Sequence, residues 1–219
     1  MHTRRLVAAV SGLGLLLGLA TAFAQEKKDP AKPPAKPAPG AATKPAGGPP
    51  GETTPEMQAA MQAMLPGPAH EKLAKLAGDW TSKSTLSFPG AQAEATEGTS
   101  KIMVVMDGRF IQQEDTGTMM GTPFKSAHLM GYNNGSKKYE AVWTYTLGTS
   151  MLMMTGTSDD DGRTIKCSAA FENEIGATEK LNVTYNFADA DHFTVILDGG
   201  KMPDGSPGPV MEMVYTRKK

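Results

Sequence analysis

The chain has 219 residues, and its 22 basic and 23 acidic side chains give a formal net charge of −1 at pH 7. That balance leaves no basic face to gather phosphates, which argues against nucleic acid as a partner. A single cysteine, Cys167, excludes an internal disulfide, so the fold must rest on its own core.

The first segment reads as a signal peptide over residues 1–24. Arg4 and Arg5 give a basic start, and Leu6 to Phe23 is apolar apart from Ser11 and Thr21. Ala22-Phe23-Ala24 then places small residues at both positions a signal peptidase reads, so cleavage is expected before Gln25. The alternative is a retained membrane anchor. Gly12, Gly14 and Gly18 thin the hydrophobicity such an anchor needs, and the cleavage motif favours removal. Thr3-Arg4-Arg5-Leu6-Val7 partly matches a twin-arginine signal, which leaves the export route open. The expectation is an exported chain, periplasmic or extracellular, with no transmembrane anchor after processing.

Residues 25–56 form a Pro/Ala/Lys-rich segment. Nine of these 32 residues are proline, and none is aromatic or Val, Ile, Leu or Met. Such a segment cannot bury enough apolar surface to offset chain entropy, so a disordered, semi-extended linker is expected. At ~3.1 Å per residue its reach is at most about 100 Å. Short helices are expected over residues 57–77. Met57, Met61 and Met64 fall on one helical face, and Leu65-Pro66-Gly67-Pro68 ends that helix. Leu73 and Leu76 mark a second helix, which Gly78 stops.

Over residues 78–219 the period changes to two. Trp80, Ser82, Ser84, Leu86 and Phe88 alternate up to Pro89-Gly90. Ile102, Val104 and Met106 lead to Asp107-Gly108, and Phe110 to Met119 leads to Gly121-Thr122-Pro123. Phe124–Tyr132, Tyr139–Tyr145, Met151–Thr157, Thr164–Glu172, Lys180–Phe187, His192–Leu197 and Val210–Thr216 follow, separated by turn residues. About ten short strands at regular spacing indicate an all-β sandwich or barrel. The short connections favour a single antiparallel up-and-down barrel, which also removes exposed sheet edges.

The chain from Pro68 onward resembles the bacterial family known as domain of unknown function 1579. The matching residues begin with His70-Glu71-Lys72-Leu73, Leu76-Ala77-Gly78-Asp79-Trp80 and Gly98-Thr99. They continue with Asp107-Gly108-Arg109-Phe110, Glu114 and Met119-Met120-Gly121-Thr122-Pro123-Phe124. Gly131-Tyr132-Asn133, Lys138-Tyr139, Trp143, Gly148-Thr149 and Tyr215-Thr216-Arg217 complete them. The resemblance implies a lipocalin-like (calycin-like) barrel and no agreed activity. A short helix followed by Gly-x-Trp, here Gly78-Asp79-Trp80, is similar to the opening of lipocalin chains.

Glu114 is the weak catalytic candidate. Inside a barrel its carboxyl could act as general acid or base, or anchor a ligand, whereas on a solvated face it would do neither. His128, on the face of Phe124, Ser126, Met130 and Tyr132, and His192 could ligate a metal or haem iron. Neither has the partners that metal spacing requires, so no metal and no cofactor is expected. Trp80, Trp143 and Tyr145 either line a cavity or fill the core, and with Glu114 and His128 they form the speculative ligand-binding set. The 15 methionines, among them Met119, Met120, Met151, Met153, Met154, Met211 and Met213, are read as core or pocket filling rather than copper(I) ligands. Cys167 reads as a small buried side chain. The favoured function is non-catalytic binding of a small apolar or amphipathic ligand in the cell envelope. An envelope protein-interaction module and an enzyme using Glu114 are the alternatives.

Overall fold

The computed structural model describes residues 53–219, apart from 159, 161, 173–175, 177 and 202–204. The expected signal peptide and residues 25–52 of the expected linker lie outside the described residues. The linker's expected end needs one adjustment, because Pro55 and Glu56 already belong to a helix, α1 (Pro55–Ala63). Thr54 Oγ1 accepts from Met57 N–H, and proline at the first helical position loses nothing by lacking an N–H. The methionine face of α1 is exposed, not packed. Asn134 Nδ2 donates to the carbonyls of Ala63 and Leu65 at the helix exit. A second helix, α2 (Pro68–Ala74), buries Leu73 and His70. His70 Nδ1 accepts from Gly67 N–H, which fixes the start of α2.

Ten antiparallel strands follow among the described residues: β1 (Gly78–Ser87), β2 (Glu94–Val105), β3 (Phe110–Met119), β4 (Thr122–Asn133), β5 (Lys138–Tyr145), β6 (Leu152–Thr157), β7 (Thr164–Glu172), β8 (Thr178–Phe187), β9 (His192–Asp198) and β10 (Val210–Arg217). Each pairs with its neighbours in sequence, and β10 returns to β1 from Ser87↔Val210 to Trp80↔Arg217. The fold is therefore the closed up-and-down barrel that the period-two pattern indicates. No described helix is long and apolar enough to cross a membrane, which says nothing about crossing by strands.

The polar run before Ile102 is itself strand. It pairs with β1 from Leu86↔Glu94 to Gly78↔Ile102, and its later half pairs with β3. Gly98 makes this possible, because a Cβ there would stand 2.6 Å from the Thr116 carbonyl and 2.9 Å from Ser82 Oγ. Ladder hydrogen bonds and cross-strand pairing override the weak strand preference of a polar, glycine-containing run. The methionines divide: Met119, Met154, Met211 and Met213 are buried, whereas Met120, Met151 and Met153 are exposed, which corrects the expectation that all of them fill core or pocket.

The end of the barrel at Gly78 is closed by a clasp between the first and last strands. The Arg217 guanidinium lies 4.2 Å from the centroid of Trp80, itself fully buried. Arg217 Nη1 donates to the Ala77 carbonyl, Nη2 to Lys75 and Nε to Ala190, and Asp191 Oδ1 stands 3.3 Å from Nε. The carbonyl of Lys75, which caps α2, and that of Ala77 just beyond it are thus satisfied by a charged donor. Gly78 is required here: its φ is +141°, and a Cβ would meet Arg217 Nη1 at 2.6 Å. Beneath it Trp80 Nε1 donates to the Leu76 carbonyl, Phe193 packs edge-on to Trp80, and Tyr215 stacks on Phe193.

Replacing Arg217 by methionine removes one cation–π contact and several charge-assisted hydrogen bonds at once. The expected loss is about 2–4 kcal/mol of unfolding free energy in urea titrations, and Arg217→Lys should recover less than half of it. Unchanged stability of Arg217→Met would show that the clasp is incidental.

Candidate functional site

The barrel interior carries an unusual amount of polar chemistry. Alternation turns Ile111, Gln113, Asp115 and Met119 of β3 inward, together with Phe124, Ser126, His128 and Met130 of β4. Asp115 accepts from Gln113 Nε2 at 2.9 Å and from Ser126 Oγ at 2.8 Å. His128 Nε2 lies 3.2 Å from Tyr185 OH, and the two rings stack. Burial alone drives the His128 ring down to a pKa of about 4, so the neutral imidazole sits in the core at neutral pH. Burial, reinforced by Cys167 and Asp115, pushes the Tyr185 hydroxyl well above its ordinary range. Burial likewise raises the Cys167 thiol to about 11, which leaves it unreactive.

Among the described residues, the gaps around this polar cluster are small. The space among Gln113, Asp115, His128, Trp143, Tyr185 and Tyr215 is about 10 Å³, room for one water. A second gap of about 20 Å³ lies beside Ser82, Gly98, Asp115 and Met213. Trp143 Nε1 and Ser100 Oγ are buried without a protein partner among the described residues, as expected of groups that face a buried water.

The sequence-derived candidates separate accordingly. Trp80, His128, Trp143 and Tyr145 are buried interior residues, and the gap beside His128 and Trp143 holds about 10 Å³. Trp80 serves the clasp, while His128 and Trp143 meet edge to face. Glu114 is corrected outright: it stands on the outer wall, exposed, and accepts from its neighbour Gln112. Its neighbour Asp115 holds the interior position. His192 is exposed and pairs with Asp189 at 2.9 Å. Among the described residues no three His, Cys, Asp or Glu side chains converge as a metal site would require.

The roomier feature lies at the mouth. Helix α2 packs over the β3–β4 side of the barrel end. Next to it opens a recess of about 400 Å³ bounded by α2, the β6–β7 turn and the β8–β9 turn. Leu73, Leu76, Tyr139, Ile165 and Phe187 supply its apolar surface; Lys72, Lys75, Asp160, Arg163 and Asp189 supply its polar surface. The volume and the mixture match small-molecule sites, which run to ~300–1,000 Å³ and are mostly apolar with a few polar groups. Alternation of strand residues could not reveal this site, because its members come from a helix and its exit, two turns and the ends of three strands far apart in sequence.

The family model described as "Protein of unknown function (DUF1579)" matches residues 65–217, and the chain belongs to that family. No curated protein matches the chain. Among solved structures, Rv2717c from M. tuberculosis is similar at 16% identity and a TM-score of 0.52, over 70% of this chain and 99% of that one. The S-type phycobiliprotein lyase CPES from Guillardia theta is similar at 12% identity and a TM-score of 0.49, over 73% of this chain and 97% of that one. These are likenesses of fold.

The neutral, buried His128 makes stability pH-dependent. Its ring titrates near 6.5 in an unfolded chain and at about 4 in the fold. Between these values the unfolded state binds a proton that the native state refuses, so stability falls as pH drops from about 6.5 to about 4. The expected loss from this group is about 3 kcal/mol. Urea titrations at pH 7 and pH 4 should show His128→Gln losing about 3 kcal/mol less than wild type over that interval; equal losses would place the titrating group elsewhere.

Proposed function

We propose that this DUF1579 protein is a non-catalytic binding protein that holds a small amphipathic molecule in the mouth recess, not in the barrel interior. The observation that carries this reading is the contrast in room: about 400 Å³ between α2 and the turns, against single-water gaps beside His128 and Asp115. The apolar part of the ligand would rest on Leu73, Leu76, Ile165 and Phe187, with its polar part toward Lys75, Arg163, Asp160 and Asp189. Proton chemistry at Glu114 has no support, since that carboxyl stands on the outer wall.

Titration with 8-anilinonaphthalene-1-sulfonate, a fluorescent amphipathic probe, tests the site. Leu76→Gln puts an amide on the apolar floor and should weaken probe binding about tenfold, the effect of losing one partly buried leucine contact. His128→Gln should leave binding within a factor of two. The reverse order would move the site into the barrel.

The leader-like residues 1–24 and the proline-rich stretch after them support a further part of the same reading: the barrel works outside the cytoplasm on the end of a tether. N-terminal sequencing of the protein from its native cell envelope should begin at Gln25. A chain still beginning at Met1 would contradict export by a cleaved signal.

A further inference from the structure

We infer that the molecule held in the mouth recess is an anion, with an amphipathic carboxylate as the simplest member of the class. The inference rests on the recess being the binding site and adds the charge of the ligand. Its basis is the unequal state of the acids and bases around the rim.

Both described acids are already engaged in turn structure. Asp160 Oδ1 accepts from Thr164 N–H at 2.7 Å and from Ser158 Oγ at 2.9 Å. Asp189 Oδ1 accepts from Asp191 N–H at 2.7 Å and faces His192 Nδ1 at 2.9 Å. Hydrogen bonds from these backbone N–H groups, the largest cause in each case, hold both carboxyls below their ordinary pKa. Their oxygens shape the β6–β7 and β8–β9 turns.

The bases differ. Among the described residues, the side chains of Lys75 and Arg163 have neither an ion pair nor a hydrogen bond, and both residues are exposed at the rim. Their backbones are nevertheless held: the Lys75 carbonyl accepts from Arg217 Nη2, and the Arg163 carbonyl accepts from Phe187 N–H. Two cations without side-chain partners among the described residues are thus carried by fixed backbone around the same apolar hollow. The Lys75 carbonyl at the cap of α2 is itself taken by Arg217 Nη2. A carboxylate between Lys75 and Arg163, with its chain on Leu76 and Phe187, would satisfy both. Asp159 and Asp161 share the β6–β7 turn but lie outside the described residues, so a cationic probe belongs in the test.

The experiment is calorimetric titration of the whole protein with dodecanoate, dodecan-1-ol and dodecyltrimethylammonium, each below its micelle concentration, at pH 7.5. Dodecanoate should bind about tenfold or more tighter than the alcohol, as expected of charge-assisted contacts. Its advantage should shrink as salt rises. Lys75→Gln with Arg163→Gln should bring dodecanoate down to the affinity of the alcohol measured on the same variant. Equal affinity of acid and alcohol for wild type would overturn the anion inference while the recess remained the site. Tighter binding of the ammonium would overturn it in favour of a cation. If none of the three binds, the recess itself fails as the site, and the inference fails with it.

Discussion

The contact of Arg217 with Trp80 ties together everything that shapes this molecule's working end. One guanidinium from the last strand covers the Trp80 ring of the first, and it also binds the carbonyls of Lys75 at the cap of α2, of Ala77 before β1 and of Ala190 before β9. Barrel closure, helix position and the β8–β9 turn therefore share one side chain. Lysine could not replace it, since a single ammonium lacks the flat, forked set of donors needed to stack and bond in three directions.

That arrangement sets where a ligand can go. With α2 drawn across the β3–β4 side, the recess opens beside the helix. Around Asp115 and His128, large side chains and their hydrogen bonds leave space for single waters among the described residues. Buried polar networks of this kind are stable when satisfied and costly when broken. The interior polarity is thus better understood as architecture, with the binding surface displaced outward to the helix and the turns.

The strand pattern was legible because alternation and turn residues recur along the whole domain. Trp80, His128, Trp143 and Tyr145 were placed on inward faces by neighbours of clear polarity. Glu114 was not, because both faces of β3 carry polar residues and alternation assigns a residue a face without saying which face is inside. Register decides it. Met119 pairs with Thr122 across a two-residue turn, which sets Asp115 opposite Ser126 and Gln113 opposite His128. Gly121 marks that turn in the sequence but not its length, since Met120 also occupies a left-handed position, φ 50°, where glycine or asparagine would have signalled a two-residue loop. The recess left no sequence signal at all. Lys75, Arg163 and Phe187 meet only through the closure of the barrel.

The central claim is that the barrel is solid and its mouth binds. Backbone amide NMR of the labelled protein during titration with dodecanoate tests it most directly. Shifts concentrated at residues 72–76, 162–165 and 187–190, with Ser126, His128, Trp143 and Tyr185 undisturbed, are the expected result. Shifts concentrated at His128, Trp143 and Tyr185, with the mouth undisturbed, would show an interior that opens to take the ligand and would contradict the claim.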